Sequence, residues 1–194
     1  MIYLIRHGQT EWNRQGRKQG QLDSPLTPLG IEQATECGRA LAREKLPPDV
    51  AMLTSPLGRA RATAEIIRNH MCLPEDRVVV DETLAEFDYG LWSGLDTSEI
   101  DIRYPGERTR RNRNKWNYAV PGGESYAALA SRLQPWLLSR QDGTPLIVVA
   151  HDVVSRVLRG LYLKLDTNKI LHLTHPQARI YKLAHGKVSQ IDAM

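Results

Sequence analysis

Apolar residues along this chain of 194 residues follow two alternating spacings: short continuous runs, and longer stretches that repeat every three or four positions. The first run, Ile2 to Ile5, has β-branched character and predicts a buried strand. Asn13 to Leu26 is polar and contains glycine, which predicts a loop. Thr27-Pro28-Leu29-Gly30 predicts a helix start, with Thr27 as N-cap and Pro28 in the first turn. Ile31, Ala34 and Leu41 then share a face, and Pro47-Pro48 ends the element. Val50 to Thr54 reads as a second strand, followed from Ser55-Pro56 by a helix whose stripe is Ala60, Ala64, Ile67 and Met71. Val78 to Val80 reads as a third strand, and Thr97 to Tyr104 as helical. Gly122-Gly123-Glu124-Ser125 opens another helix, with Leu129, Leu133 and Leu137 along its apolar side. Leu146 to Ala150, the most apolar run, predicts a central strand that stops at His151. Asp152 is placed to cap the helix from Val153 to Leu163. Ala178 to Leu183 and Lys187 to Ile191, joined by Ala184-His185-Gly186, predict a terminal hairpin.

Strands alternating with helices predict an α/β fold, a three-layer sandwich with a mostly parallel central sheet flanked by helices. No internal repeat, low-complexity tract or linker interrupts the pattern, so 1–194 is expected to form one domain. No apolar run approaches the length of a membrane span, and the N-terminal strand has no signal-peptide pattern. The two cysteines, Cys37 and Cys72, suit a reducing compartment, so a cytoplasmic protein is expected.

Charge sharpens the picture in one place. The formal net charge is +4, yet between Arg103 and Lys115 six basic side chains face only Glu107, a local +5. The excess positive charge is therefore local and points to an anionic partner near that segment.

Four short stretches are candidates for chemistry. Arg6-His7-Gly8 lies just past the first strand, at the sheet edge where α/β proteins bind ligands. Alone, this triplet fits a solvated turn as well as a phosphate site in which Arg6 is a forked donor and His7 a nucleophile. Arg59 falls on the first turn of the helix after the second strand, where a helix N-terminus already attracts anions. Glu86 sits among Phe87, Tyr89, Gly90 and Trp92, which would bury it and raise its pKa as a proton donor requires; Asp88 is the neighbouring alternative. His151 ends the most apolar strand, so two imidazoles end up at strand termini.

Arg6-His7-Gly8 together with Thr10, Trp12 and Asn13 resembles the signature of the histidine phosphatase superfamily, which includes cofactor-dependent phosphoglycerate mutases and fructose-2,6-bisphosphatase. The resemblance continues in the family's order along almost the whole chain. It implies the phosphoglycerate mutase-like sandwich, with His7, Glu86, Arg6, Arg59 and His151 as the catalytic set. It also implies phosphate binding by Arg6, Asn13, Gln19, Gly20, Arg59 and His151. On charge grounds, neutral His7 attacks phosphorus to give a phosphohistidine, and Arg6, Arg59 and a protonated His151 neutralise the equatorial oxygens. Glu86 protonates the leaving alkoxide and then activates water. With three cationic groups, no metal or cofactor is expected.

Residues 95–125 read as a lid that sets substrate specificity. From Arg103-Tyr104-Pro105 to Ser125-Tyr126 the chain resembles fructose-2,6-bisphosphatase without a gap, which implies that Tyr104, Arg111, Lys115, Tyr126 and Arg156 hold the leaving sugar phosphate. Two departures stand out. Asp152 replaces a glycine or glutamine of many relatives and is expected to turn away as a helix cap; Trp116 stands where the sugar bisphosphatase has tyrosine. The expected partner is a small anionic phosphorylated metabolite, bound by a monomer or homodimer, with no nucleic acid and no membrane. A phosphoglycerate mutase, a catalytically impaired phosphate-ester-binding module, and single-strand binding through Arg108 to Lys115 with Trp116 and Tyr118 are the competing readings, in that order.

Overall fold

The computed structural model describes residues 1–140 and 143–193. Its sheet comprises β1 (Ile2–Arg6), β2 (Ala51–Thr54), β3 (Val78–Val80), β4 (Leu146–Ala150), β5 (Arg179–Ala184) and β6 (Lys187–Asp192), in the order β3-β2-β4-β1-β5-β6. The strands from β3 to β1 run parallel; β5 lies antiparallel to β1 and closes a hairpin with β6. Around the sheet lie α1 (Glu11–Arg14), α2 (Pro28–Arg43), α3 (Gly58–His70), α4 (Thr97–Arg103), α5 (Glu107–Arg113), α6 (Tyr126–Leu138), α7 (Asp152–Tyr162) and α8 (Thr167–His172). The α/β architecture with a mostly parallel sheet is thus as the spacing predicts.

The three layers follow from the two-residue period of strands. Ile2 and Leu4 of β1, Leu53 of β2, and Val148 and Ala150 of β4 point to one face, where α6 and α7 supply Leu129, Leu133, Val154, Val157 and Leu158. Tyr3 and Ile5, Met52, and Ile147 and Val149 point to the other, against Cys37 and Leu41 of α2 and Ala60, Ala64 and Ile67 of α3. Truncating a fully buried side chain such as Leu4 to alanine costs about 2–5 kcal/mol.

Several local expectations are corrected. The polar stretch after β1 contains α1, nucleated by a capping box in which Thr10 and Asn13 exchange side-chain-to-backbone bonds. Ile31 is half exposed, because α2 buries its small residues instead: Gly30, Ala34, Cys37 and Gly38 let it approach its neighbours, and a Cβ on Gly38 would lie 2.7 Å from that of His70 in α3. The helix after β2 begins at Gly58, and Met71 is its half-buried C-cap. Asp152 does not cap α7; His151 holds the N-cap position and Asp152 is the first helical residue. A short helix, α8, capped by Asp166, follows it unannounced by any long apolar period.

Candidate active site

Strand register builds the site. Arg6 pairs with Ala150 across β1 and β4, so the next residue on each strand is a histidine. The His7 N–H donates to the Ala150 carbonyl at 3.0 Å, and the Ser55 N–H, just past β2, donates to Val149 at 3.0 Å. The imidazoles of His7 and His151 lie 5.2 Å apart, edge to face, both buried. Gly8 makes this geometry possible, since a Cβ there would sit 2.2 Å from the Gly30 carbonyl at the start of α2. Its N–H is taken by the Thr63 hydroxyl at 3.1 Å.

His7 Nδ1 lies 2.8 Å from the Gly8 carbonyl, which fixes the proton on Nδ1 and leaves Nε2 as the lone-pair nitrogen. That nitrogen accepts from the Arg59 Nε at 3.2 Å. Arg59 stands on the second residue of α3, buried, and its remaining donors reach the Gly20 carbonyl at 2.7 Å, the Leu22 carbonyl at 2.7 Å and Asp23 at 3.0 Å. Arg6 donates to the His175 carbonyl at 2.9 Å, while its buried Nε has no partner among the described residues. Burial, then the charges of Arg59 and Arg6, holds His7 well below the ordinary imidazole range, so it is neutral.

His151 is neutral for the same reasons: burial first, then Arg59, His7 and Arg6. The expected protonated ring is disfavoured here, since it would put a third cation beside two guanidiniums in a desolvated pocket. Its Nε2 lies 2.7 Å from the Ser55 hydroxyl, and its buried Nδ1 has no partner among the described residues.

Glu86 is buried, one oxygen accepting from the Phe87 N–H at 2.8 Å and, more weakly, from Val154 of α7 at 3.4 Å. Burial raises its pKa, Asp152 adds to the rise, and the Phe87 bond and both arginines oppose it. The loop is anchored by Arg132 of α6, which donates to the carbonyls of Thr83 and Ala85 and pairs with Glu124 at 3.0 Å. Asp88, the alternative carboxylate, accepts from the Gly90 N–H at 2.7 Å, as expected of a turn residue.

Of the remaining phosphate candidates, Asn13 and Gln19 both engage their amide oxygens. Asn13 accepts from Thr10 and Gln177, and Gln19 accepts from Ser24, so in each the amide nitrogen is the end left to an anion. Gly20 takes a positive φ of 56° and turns its carbonyl onto Arg59.

A cavity of about 290 Å³ adjoins the site. It is lined by Arg111, Lys115, Tyr126 and Arg156, as the lid resemblance implies, by Arg108 of the basic segment, and by Lys18, which sequence reading missed. The buried Tyr126 ring forms its floor, with Arg111, Lys115 and Arg156 each 5.8–5.9 Å from the ring centroid. Tyr104 is not part of the lining; it is half buried against the apolar core. Trp116 backs the Tyr126 ring at 6.1 Å and does not face the cavity.

Asp152 does line the cavity, contrary to expectation. Its carboxylate accepts from the His175 N–H at 3.2 Å and lies 3.4 Å from Arg156 and 3.9 Å from Arg6. A capping role is displaced because α7 starts one residue earlier and because a distant segment delivers the His175 donor. Ser55, Asp23, Thr63, Arg132 and His175 all support the site and carried no signal beyond being polar residues near a motif.

The model of the histidine phosphatase superfamily, branch 1, matches residues 2–190 of the chain. A 2,3-bisphosphoglycerate-dependent phosphoglycerate mutase of Rhizobium rhizogenes is 34% identical over 190 residues, covering 95% of this chain and 86% of that protein. A 6-phosphofructo-2-kinase/fructose-2,6-bisphosphatase of Caenorhabditis elegans is 31% identical over 182 residues, covering 94% of this chain and 38% of the larger protein. Among solved structures, a mycobacterial glucosyl-3-phosphoglycerate phosphatase in complex with VO3 superposes with a TM-score of 0.83 at 30% identity, covering 100% of this chain and 98% of that one.

Proposed function

The chain belongs to the histidine phosphatase superfamily, branch 1, and on that footing we propose that it hydrolyses a small phosphorylated metabolite through a phosphohistidine at His7, without a metal ion. The observation that carries this reading is the set of polar groups around His7. The nucleophile is held neutral with Nε2 as its lone-pair nitrogen. The buried Arg6 Nε and His151 Nδ1 lack partners among the described residues, as donors awaiting an anion would.

In the proposed sequence a phosphoryl group parts Arg59 from His7, and Nε2 attacks phosphorus. Arg6 and Arg59 supply the countercharge, and His151 adds a neutral donor. Glu86, whose burial favours the protonated form, delivers its proton to the leaving oxygen; as a carboxylate it then draws a proton from the water that releases phosphate. Residues 95–125 close over the cavity as the specificity lid. Lys18, Arg111 and Lys115 favour a substrate with a second anionic group, such as a sugar phosphate ester.

The phosphoglycerate mutase reading is supported by 34% identity to the 2,3-bisphosphoglycerate-dependent phosphoglycerate mutase of Rhizobium rhizogenes, and by similar identity to other such mutases. A screen over sugar phosphates, phosphoglycerates and nucleotides in EDTA, with and without a bisphosphoglycerate primer, separates the two. The proposal expects phosphate release that survives chelation and needs no primer. Primer-dependent isomerisation without net phosphate release would favour the mutase, and VO3 binding without any turnover would favour an impaired binding module.

A further inference from the structure

His151 leaves a question that its strand position does not answer: a neutral imidazole offers one donor and one acceptor, and only the donor is useful beside an anion. Ser55 supplies the answer. It is fully buried immediately after β2, and its own N–H continues the ladder onto β4 at Val149, which fixes it one strand away from His151. Its hydroxyl accepts from the Leu57 N–H at 3.3 Å and lies 2.7 Å from His151 Nε2.

The proton count decides the direction of that second bond. If His151 carried its proton on Nε2, the Ser55 oxygen would accept twice and its own hydrogen would need another acceptor, of which none is recorded among the described residues. Nδ1 would also become a buried lone pair beside a phosphate, which repels. With the hydroxyl donating to Nε2 instead, each group in the chain Leu57 N–H to Ser55 O–H to His151 Nε2 is satisfied, and the proton sits on Nδ1. Nδ1 is the ring nitrogen that has no partner among the described residues.

We propose that Ser55 is a positioning residue that holds neutral His151 as its Nδ1–H tautomer, so that the ring presents a hydrogen-bond donor to the transferring phosphoryl group. This role rests on the phosphoryl-transfer reading above for its use, though not for the tautomer itself. The site thereby gains a further donor without a third positive charge.

Nitrogen-15 spectra of the ring-labelled protein at neutral pH test it directly. The expected result is a protonated Nδ1 and a bare Nε2 for His151 in the wild type, and in Ser55→Ala a population shifted toward Nε2–H. Ser55→Ala should also lose roughly ten- to a hundredfold in kcat, the scale of removing the partner that orients a ligand histidine, with KM changed much less. A thermal melt of the variant confirms folding. A wild-type Nε2–H tautomer, or a variant with an unaltered tautomer ratio, overturns the proposal. Because the spectra are recorded without substrate, a protein that turns over no phosphate ester contradicts the assigned function and leaves this measurement to decide the tautomer.

Discussion

The Nε of Arg59 donates to the Nε2 of His7 across 3.2 Å, so the nitrogen with the free lone pair is paired with the guanidinium that also serves the site. The other ring nitrogen is held by Gly8 at 2.8 Å, and the rest of the Arg59 fork is fixed by Gly20, Leu22 and Asp23. The two side chains therefore define one hole: in the proposed reaction, attack on phosphorus and neutralisation of its oxygens would take place across a single hydrogen bond.

Arg59→Lys keeps the charge and loses the fork. We expect kcat to fall about 10²–10³-fold, the scale of losing a preorganised donor to the transition state. Steady-state kinetics on an aryl phosphate reads it, and a drop of only two- or threefold would mean that Arg59 does not reach the transferring group.

Glu86 and His7 are displaced in opposite directions, and the pH profile should carry both. Burial raises Glu86, so the proton donor is lost as pH rises through that raised value, giving an alkaline limb in kcat. Burial lowers His7, so the nucleophile stays neutral well below the ordinary imidazole pKa and the acid limb is displaced downward. Glu86→Gln should abolish the alkaline limb and slow alkyl phosphates far more than nitrophenyl phosphate, whose leaving group needs no proton. An alkaline limb that survives in Glu86→Gln would assign the acid elsewhere, with Asp88 next to test.

Folding stability should also depend on pH, and the sign is fixed by the buried histidines. His7, His151 and His175 are all lowered chiefly by burial, His175 to about 3. Below about pH 6.5 the unfolded chain takes up protons that these folded rings refuse, so their contribution is complete above that pH and is lost as pH falls toward 3. Glu86 and Glu124, both raised chiefly by burial, act oppositely above the ordinary value of 4.5, two groups against three. Urea midpoints should therefore drop between pH 7 and pH 4.5; equal midpoints would contradict the burial-driven shifts.

The cavity predicts how specificity changes. Arg111→Ala and Lys115→Ala should raise KM about ten- to a hundredfold for a bis-anionic ester, the value of one charge-assisted hydrogen bond, and hardly at all for nitrophenyl phosphate. Asp152→Asn retains an acceptor for the His175 N–H and removes a negative charge from the lining, so it should lower KM for the same bis-anionic ester. Parallel KM changes on both substrates would place the lid's charges outside the pocket.

What was legible in the sequence was whatever a local period or a short motif encodes. The strands around Leu4, Leu53 and Val148 show their period, and Arg6-His7 and His151 lie next to the runs that carry them. What depends on packing between distant segments was not legible. Helical spacing puts Ile31 on one face with Ala34 and Leu41, but close helix approach selects small residues for burial and leaves Ile31 half exposed. The position of Asp152 before an apolar helix predicts a cap, because its partner, His175, comes 23 residues later on another segment. Nothing in a strand-end histidine reveals the two guanidiniums that disfavour a charge on His151 in a desolvated pocket. Tyr104 rests on resemblance alone, and packing against the core takes it away from the cavity.

The central claim is that phosphate is carried covalently by His7, and trapping the intermediate tests it most directly. A turnover mixture of radiolabelled phosphate ester and enzyme, quenched in alkali in the presence of EDTA and mapped by peptide, should yield label on His7 alone. The His7→Ala protein should yield neither label nor phosphate release. Label on any other residue, or substantial turnover by His7→Ala, would contradict the account.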